Sequence, residues 1–286
     1  MLNLDKTKNK NILTNRIKII ILFSLIILII LTAIFIVFTK NKHNDNIKRS
    51  HHERHKNSII SKRESIVPPK NVKMTPGEVA PWNVKRTDGR KMAYLTFDDG
   101  PSINTTSILQ ILDKNKIKAN FFIIGSNAER YPDLVMKEAD DGEIIGNHTY
   151  SHQLNYKEGP ENFVKDLNKC DGILKSILGN RYTSELVRFP GGSFDGKMHP
   201  GRLASFRDAA TKAGYRYIDW NDETNDSESL DPSVPYLLDQ LKKNTVGKNV
   251  VVVLMHDAGA KKNTVQALQQ VIDYLKSQGF SFDTVE

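Results

Sequence analysis

The stretch KMAYLTFDDGPS, Lys91 to Ser102, is an apolar, β-prone run that ends in two adjacent carboxylates, with a glycine and a proline directly behind them. Met92, Tyr94, Leu95 and Phe97 read as a strand, and Gly100 with Pro101 reads as the turn that stops it. Asp98 and Asp99 therefore fall at the C-terminal end of a strand, where α/β folds keep their chemistry. Two neighbouring carboxylates repel each other unless one binds a cation or one holds a proton. Asp-Asp-Gly-Pro is also ordinary turn chemistry. The stretch alone does not choose between a site and a surface turn, and the rest of the chain must decide.

Downstream, short apolar runs alternate with amphipathic stretches. Strands are predicted at 91–97, 118–124, 143–147, 186–189, 215–220, 249–255 and 280–284, with helices near 104–115, 127–140, 160–178, 201–213, 235–244 and 262–278. A βα alternation seven strands long implies parallel pairing and right-handed crossovers, in a barrel or an open doubly wound sheet. No repeat of 33 to 47 residues is visible, which argues against a solenoid.

Four of these strand ends carry reactive side chains. His148 and His152 stand in NHTYSH just after the strand ending near Gly146. A spacing of four lets both imidazoles reach one point, and two nitrogens with a strand-end carboxylate oxygen make the ligand set of a catalytic zinc site. Taken alone, such a histidine pair is more often structural. His256 ends the most apolar strand, as a buried core histidine or as a general acid. Arg188 precedes Pro190, Gly191 and Gly192, as a surface charge or as a partner for an anion in the same mouth. Their coincidence on one rim favours a site.

The N-terminal part is different in kind. Residues 1–75 hold 15 Lys and Arg against 4 Asp and Glu, whereas the remainder holds 26 against 29, so the formal charge of +8 belongs to the arm. The globular part offers no electrostatic argument for nucleic acid. Residues 19–38 have only Ser24 and Thr32 as polar members, long enough at 1.5 Å per residue to cross about 30 Å of hydrocarbon, and read as a transmembrane anchor. A cleaved signal peptide is the alternative, but no A-x-A-like site follows. Five Lys or Arg precede the span and six lie within the next 20 residues. The positive-inside rule therefore assigns no orientation. From 39 to about 76 the chain is polar and basic and reads as a flexible stalk, its four histidines (His43, His51, His52, His55) included. The single cysteine, Cys170, excludes an intrachain disulfide and is expected as a helical core residue.

With these motifs in view, residues 91 to about 284 resemble the catalytic domain of the polysaccharide deacetylases, the NodB-homology group called carbohydrate esterase family four. TFDDGP at Thr96–Pro101, H-T-x-x-H at His148–His152, RFPGG at Arg188–Gly192, the segment Trp220–Asp226, and LMH at Leu254–His256 follow that family's five motifs in order. The resemblance implies a distorted (β/α) barrel. It implies that Asp98 is the general base and that Asp99, His148 and His152 hold a divalent metal, zinc in most members and cobalt or nickel in some. It further implies that Arg188 orients the base, that Asp226 partners the catalytic His256, and that Leu254 lines the pocket for the acetyl methyl. Two positions depart from the family pattern. Gly191 stands where an aromatic residue is common, which leaves its main-chain N–H as the contribution, and Ser227 stands where Trp is common, with Trp220 nearby.

The resulting expectation is a basic tail (1–18), an anchor (19–38), a stalk and lead-in (39–90) and a deacetylase domain (91–286) outside a cell membrane. That domain would act on an N-acetylated cell-wall glycan, most simply peptidoglycan N-acetylglucosamine. An O-acetyl esterase of another polysaccharide and an inactive glycan-binding module are the rival readings.

Overall fold

The computed structural model describes residues 75–83, 88–195 and 201–286, which fall in one unit spanning Met74–Glu286. The predicted anchor at 19–38 and the stalk up to residue 74 lie outside the described residues. Among the described residues, no helix is long and apolar enough to cross a membrane.

Nine strands are described: β1 (Gly77–Glu78), β2 (Lys91–Gly100), β3 (Asn120–Ile123), β4 (Ile144–Asn147), β5 (Leu186–Val187), β6 (Arg216–Tyr217), β7 (Asp222–Glu223), β8 (Val250–His256) and β9 (Phe280–Phe282). The helices are α1 (Thr105–Asn115), α2 (Gly125–Arg130), α3 (Pro132–Asp140), α4 (Gly159–Leu178), α5 (Ala204–Lys212), α6 (Val234–Thr245) and α7 (Lys262–Ser277). All nine strands join one sheet, eight of them in the order β1-β6-β5-β4-β3-β2-β8-β7 and β9 off this path beside β2. Every pairing is parallel, as the βα alternation requires. β2 is the axis of the sheet. It pairs with β8 from Met92 to Asp98, and on its other edge with β9 at the start and β3 at the end.

β1 and β7 are the two edges of this sheet, so strand pairing does not close it into a ring. The chain itself spans the seam. The predicted strand at 215–220 is shortened to β6, and β7, which was not predicted, follows it on a different partner: Ile218 N–H still donates to Val187 of β5 (3.1 Å) whereas Asn221 N–H already donates to Val252 of β8 (3.3 Å). The Asn221 side chain fixes the switch, donating to Val250 O at 2.9 Å and accepting from Val252 N at 2.8 Å. The result is a distorted, partial barrel.

The period-two alternation of the strands sorts two cores. Leu95, Phe97, Phe121, Ile123, Val251, Val253 and Met255 face outward and pack under helix stripes such as Ile108, Leu109 and Leu112 of α1. Tyr94, Phe122, Leu186, Ile218 and Val252 face inward, with Trp82 and Val285 filling the barrel. The C-terminal end is secured there by Asn120, whose side chain donates to Val285 O at 2.7 Å and accepts from Val285 N at 3.0 Å. Because β8 is covered on both sides, it reads as an unbroken apolar run. β1 precedes the first predicted strand and pairs with β6. The helix predicted at 127–140 is two helices, broken at Tyr131 (φ −133°, ψ 55°), because Pro132 excludes the helical conformation from the residue before it. Cys170 lies in the buried stripe of α4, and burial pushes its thiol pKa up.

Candidate active site

The strand ends meet at one mouth, and β2 reaches it with an irregularity. In a regular strand Asp98 and Asp99 would point to opposite faces. Here the register against β3 slips between Asp98 and Gly100, and Asp99 takes a left-handed conformation (φ 69°). This bulge lets both carboxylates serve the same mouth. Gly100 is required beside it, because a Cβ there would stand 2.8 Å from the Asp257 carboxylate. Asp257 secures the turn: its N–H donates to Asp98 O at 2.7 Å, and its buried carboxylate accepts from the hydroxyls of Ser102 (2.9 Å) and Thr105. Burial pushes this carboxyl up to about 7 against the pull of those two hydroxyls. Nothing in the sequence reading singled out Asp257, although its place directly after His256 was a signal.

His148 and His152 follow β4 in a turn with two further left-handed residues, Thr149 (φ 64°) and His152 (φ 55°). The Thr149 hydroxyl accepts from His152 N–H at 2.9 Å, and the Nδ1 of buried His148 meets Arg188 O at 2.8 Å. With Nδ1 of His148 so committed, its Nε2 faces Asp99 Oδ1 at 3.5 Å, and the His152 Nε2 faces the same oxygen at 3.1 Å. Burial, against the nearby Asp98 and Asp99, lowers the His148 pKa and favours the neutral imidazole that a metal needs. The Oδ1 of Asp99 is buried with no hydrogen-bond partner. One carboxylate oxygen and two imidazole nitrogens, all within 4.8 Å of one another, fit a divalent cation. A cation there would account for an anionic oxygen that is buried without a hydrogen bond beside two imidazole nitrogens.

Arg188 is fully buried and spends its donors on a fixed set of partners. Nη1 donates to Asp98 Oδ1 at 2.9 Å and to Thr96 Oγ1 at 2.7 Å, Nε to Ile218 O at 3.1 Å, and Nη2 to Asp219 O at 3.0 Å. Its guanidinium also lies over the Phe122 ring at 4.2 Å. A charge buried this deeply is stable only when paired and hydrogen-bonded, and the pair fixes which way Asp98 points. Thr96 shares the inward face with Asp98 by alternation, which was a legible signal that the sequence reading passed over.

His256 stands opposite Asp98 in the β2/β8 register. Its Nδ1 lies 2.7 Å from Asp226 Oδ1, while Asp226 Oδ2 accepts from His256 N–H at 2.9 Å and from the Thr264 hydroxyl at 2.8 Å. Burial alone would pull the imidazolium down. The hydrogen bond and charge of Asp226, with Asp98 and Asp99 behind it, outweigh that and push its pKa up to about 9. Leu254 shares the inward face two residues earlier and is buried. Trp220 lies beside the same guanidinium, 5.7 Å from ring centre to Arg188. Gly191 (φ 77°) occupies the turn after Arg188. Phe194, which the sequence reading missed, is 54% exposed and meets Trp220 edge to face at 5.3 Å. Its loop is anchored by Ser193, whose N–H and hydroxyl both donate to Asp219, at 2.8 and 2.6 Å. Asp98, Asp99, His148, His152, Arg188, Asp226 and His256 are brought together by these contacts, with Trp220 beside Arg188, Leu254 on β8 and Gly191 in the turn after Arg188.

The arrangement is matched by known proteins. A family model for polysaccharide deacetylase matches residues 85–218. A peptidoglycan-N-acetylglucosamine deacetylase of Bacillus cereus is 30% identical over 231 residues, covering 78% of this chain and 80% of that protein. Among solved structures, a Streptococcus mutans CE4 esterase superposes with a TM-score of 0.62 at 29% identity, covering 69% of this chain and 87% of that one. The catalytic domain of a peptidoglycan N-acetylglucosamine deacetylase from Eubacterium rectale gives 0.62 at 31% identity, covering 74% and 93%.

Proposed function

The chain belongs to the polysaccharide deacetylases of carbohydrate esterase family four, and on that footing we propose that it hydrolyses the N-acetyl group of peptidoglycan N-acetylglucosamine, releasing acetate and a free amine. The observation that carries this reading is the opposition, across one mouth, of a base clamped by a buried arginine and an acid held protonated by a carboxylate. A deacetylase needs both, because amide hydrolysis requires a proton taken from water and a proton given to an amine that leaves poorly as an anion.

Asp99, His148 and His152 would hold the divalent ion, with zinc the first choice by its taste for mixed nitrogen and oxygen ligands and cobalt or nickel as alternatives. When bound, such an ion supplies Lewis-acid polarisation of the amide carbonyl and of water. The remaining work falls to the chain. Asp98, fixed by Arg188, accepts the proton of the attacking water. The main-chain N–H of Gly191 donates to the oxyanion that forms, and Leu254 receives the acetyl methyl. His256, whose Nδ1 is committed to Asp226, presents Nε2 to the departing nitrogen and gives up its proton there. Trp220 and Phe194 form the aromatic wall for the sugar. The span at 19–38 would anchor the catalytic domain outside a cell membrane, close to its polymer.

The test is to incubate the protein with N-acetylglucosamine oligomers and with purified wall. Acetate and free amine should appear in equal amounts, and a chelator should stop both. Acetate without free amine would indicate O-acetyl esterase chemistry, and binding without acetate would indicate an inactive module.

A further inference from the structure

The turn that presents the two histidines is strained, since Thr149 and His152 are both left-handed without being glycine. Conformations of this kind persist only where neighbours over-determine them. The neighbours here are the last residue of β4 and two carboxylates of α4. Asn147, the buried last residue of β4, accepts from Thr149 N–H at 2.7 Å through Oδ1 and so holds the first left-handed residue. Its amide cannot rotate away, because Nδ2 donates to Leu167 O at 2.9 Å and to Asp171 Oδ1 at 2.7 Å. Asp171 is itself held, by the Tyr182 hydroxyl at 2.7 Å on one oxygen and the Tyr215 hydroxyl at 2.9 Å on the other. At the far end of the turn, Ser151 donates both its N–H (3.0 Å) and its hydroxyl (2.9 Å) to Asp166 Oδ2.

At 100° per residue, Asp166 and Asp171 flank the buried stripe of α4 that contains Leu167, Cys170 and Leu174. One carboxylate therefore grips each end of the turn while the stripe anchors the helix in the core. Between them Gly125 lets the turn approach, as a Cβ there would stand 3.1 Å from both Tyr150 Cα and Cys170 Cα, and its N–H donates to Thr149 O at 2.9 Å.

We propose that Asp166 and Asp171 are positioning residues for the histidine pair, setting the separation of the two imidazoles and hence the affinity of the site for a divalent cation. Neither touches the cation site itself. The inference rests on the reading of Asp99, His148 and His152 as ligands. His152, whose side chain is 40% exposed, is the ligand with least packing of its own and therefore the one most dependent on this grip.

The experiment measures zinc affinity of the full chain, stripped of metal, by competition with a chromophoric chelator, together with the visible spectrum of the cobalt(II) form and the far-UV circular dichroism of the metal-free protein. Asp166→Ala should weaken zinc binding about 10-fold, the lower end of what outer partners of metal ligands contribute, and should shift the cobalt bands. Asp166→Asn, which keeps an oxygen acceptor for Ser151, should stay within about 2-fold of the wild type. Asp171→Ala should lose at least as much as Asp166→Ala, and if it fails to fold the Asp166 pair decides alone. Wild-type affinity in folded Asp166→Ala, or an equal loss in Asp166→Asn, would overturn the positioning role. A wild-type chain that binds no zinc would overturn the metal reading itself, an outcome distinct from variants that bind as the wild type does.

Discussion

Replacing Asp226 by asparagine should move the alkaline limit of activity downward. Asp226 is the reason that the His256 imidazolium survives burial, through a 2.7 Å contact to Nδ1 and the charge behind it. An asparagine in the same place can still accept from His256 N–H and Thr264 through its oxygen. Its amide then faces Nδ1 as a donor and forces that nitrogen to accept, which leaves a neutral ring. With a pKa of about 9, roughly nine-tenths of His256 is protonated at pH 8; at the ordinary 6.5, about 3% is. Burial persists in the variant and pulls lower still, so the value of 6.5 sets the smallest expected change. The activity that needs the acid is present below the pKa and lost above it. kcat/KM at pH 8 should therefore fall at least about 30-fold, and the loss should shrink steadily as the pH is lowered toward the variant's own pKa. The assay is acetate release from N-acetylglucosamine oligomers between pH 5 and 10 for both proteins. A folded, active variant with an unmoved alkaline limb would refute the assignment of His256 as the acid that Asp226 sustains.

The two neighbouring carboxylates should separate by metal content. Asp99→Asn should lose bound metal and recover part of its activity with excess metal, because an amide oxygen is a poorer ligand than a carboxylate. Asp98→Asn should keep its metal and lose on the order of 10² to 10⁴ in kcat with no rescue, as expected for a positioned base; elemental analysis with a metal titration checks both. Phe194→Ala should raise KM for long oligomers several-fold and leave kcat nearly unchanged, because the exposed ring touches the wall of the mouth and not the reacting atoms. Equal KM values across oligomer lengths would remove Phe194 from the glycan site.

Much of the architecture was legible because its signals are local. The unbroken apolar run Val250–Met255 read as a strand, and the stripe Phe163, Leu167, Cys170, Leu174 read as a helix face, and both are found as such. The misplacements have physical causes. The break at Tyr131 was written in Pro132 but hidden by an amphipathic pattern that continues through it. The early end of the strand predicted at 215–220, and β7 beyond it, were hidden because hydrophobicity does not record a change of partner strand. β1 is two residues long, and its pairing with β6 leaves no periodicity to read.

The site divides along the same line. Which residues end the strands is a matter of local order, so the carboxylate pair, the two histidines, Arg188 and His256 were visible in a linear reading, and their order along the chain carried the family resemblance. What those residues do to one another depends on register and on contacts across long separations. The bulge that turns Asp99 to the same mouth as Asp98 exists only against β3. The pairing of Arg188 with Asp98 and Thr96 joins positions about ninety residues apart. The supports supplied by Asp257 and by the α4 aspartates appear only once helices and loops are docked. Chain propensity and alternation are summed over neighbours in sequence, and they select the elements. Hydrogen-bond partners, left-handed backbone and the protonation of a buried histidine are set by neighbours in space, and packing alone brings these together.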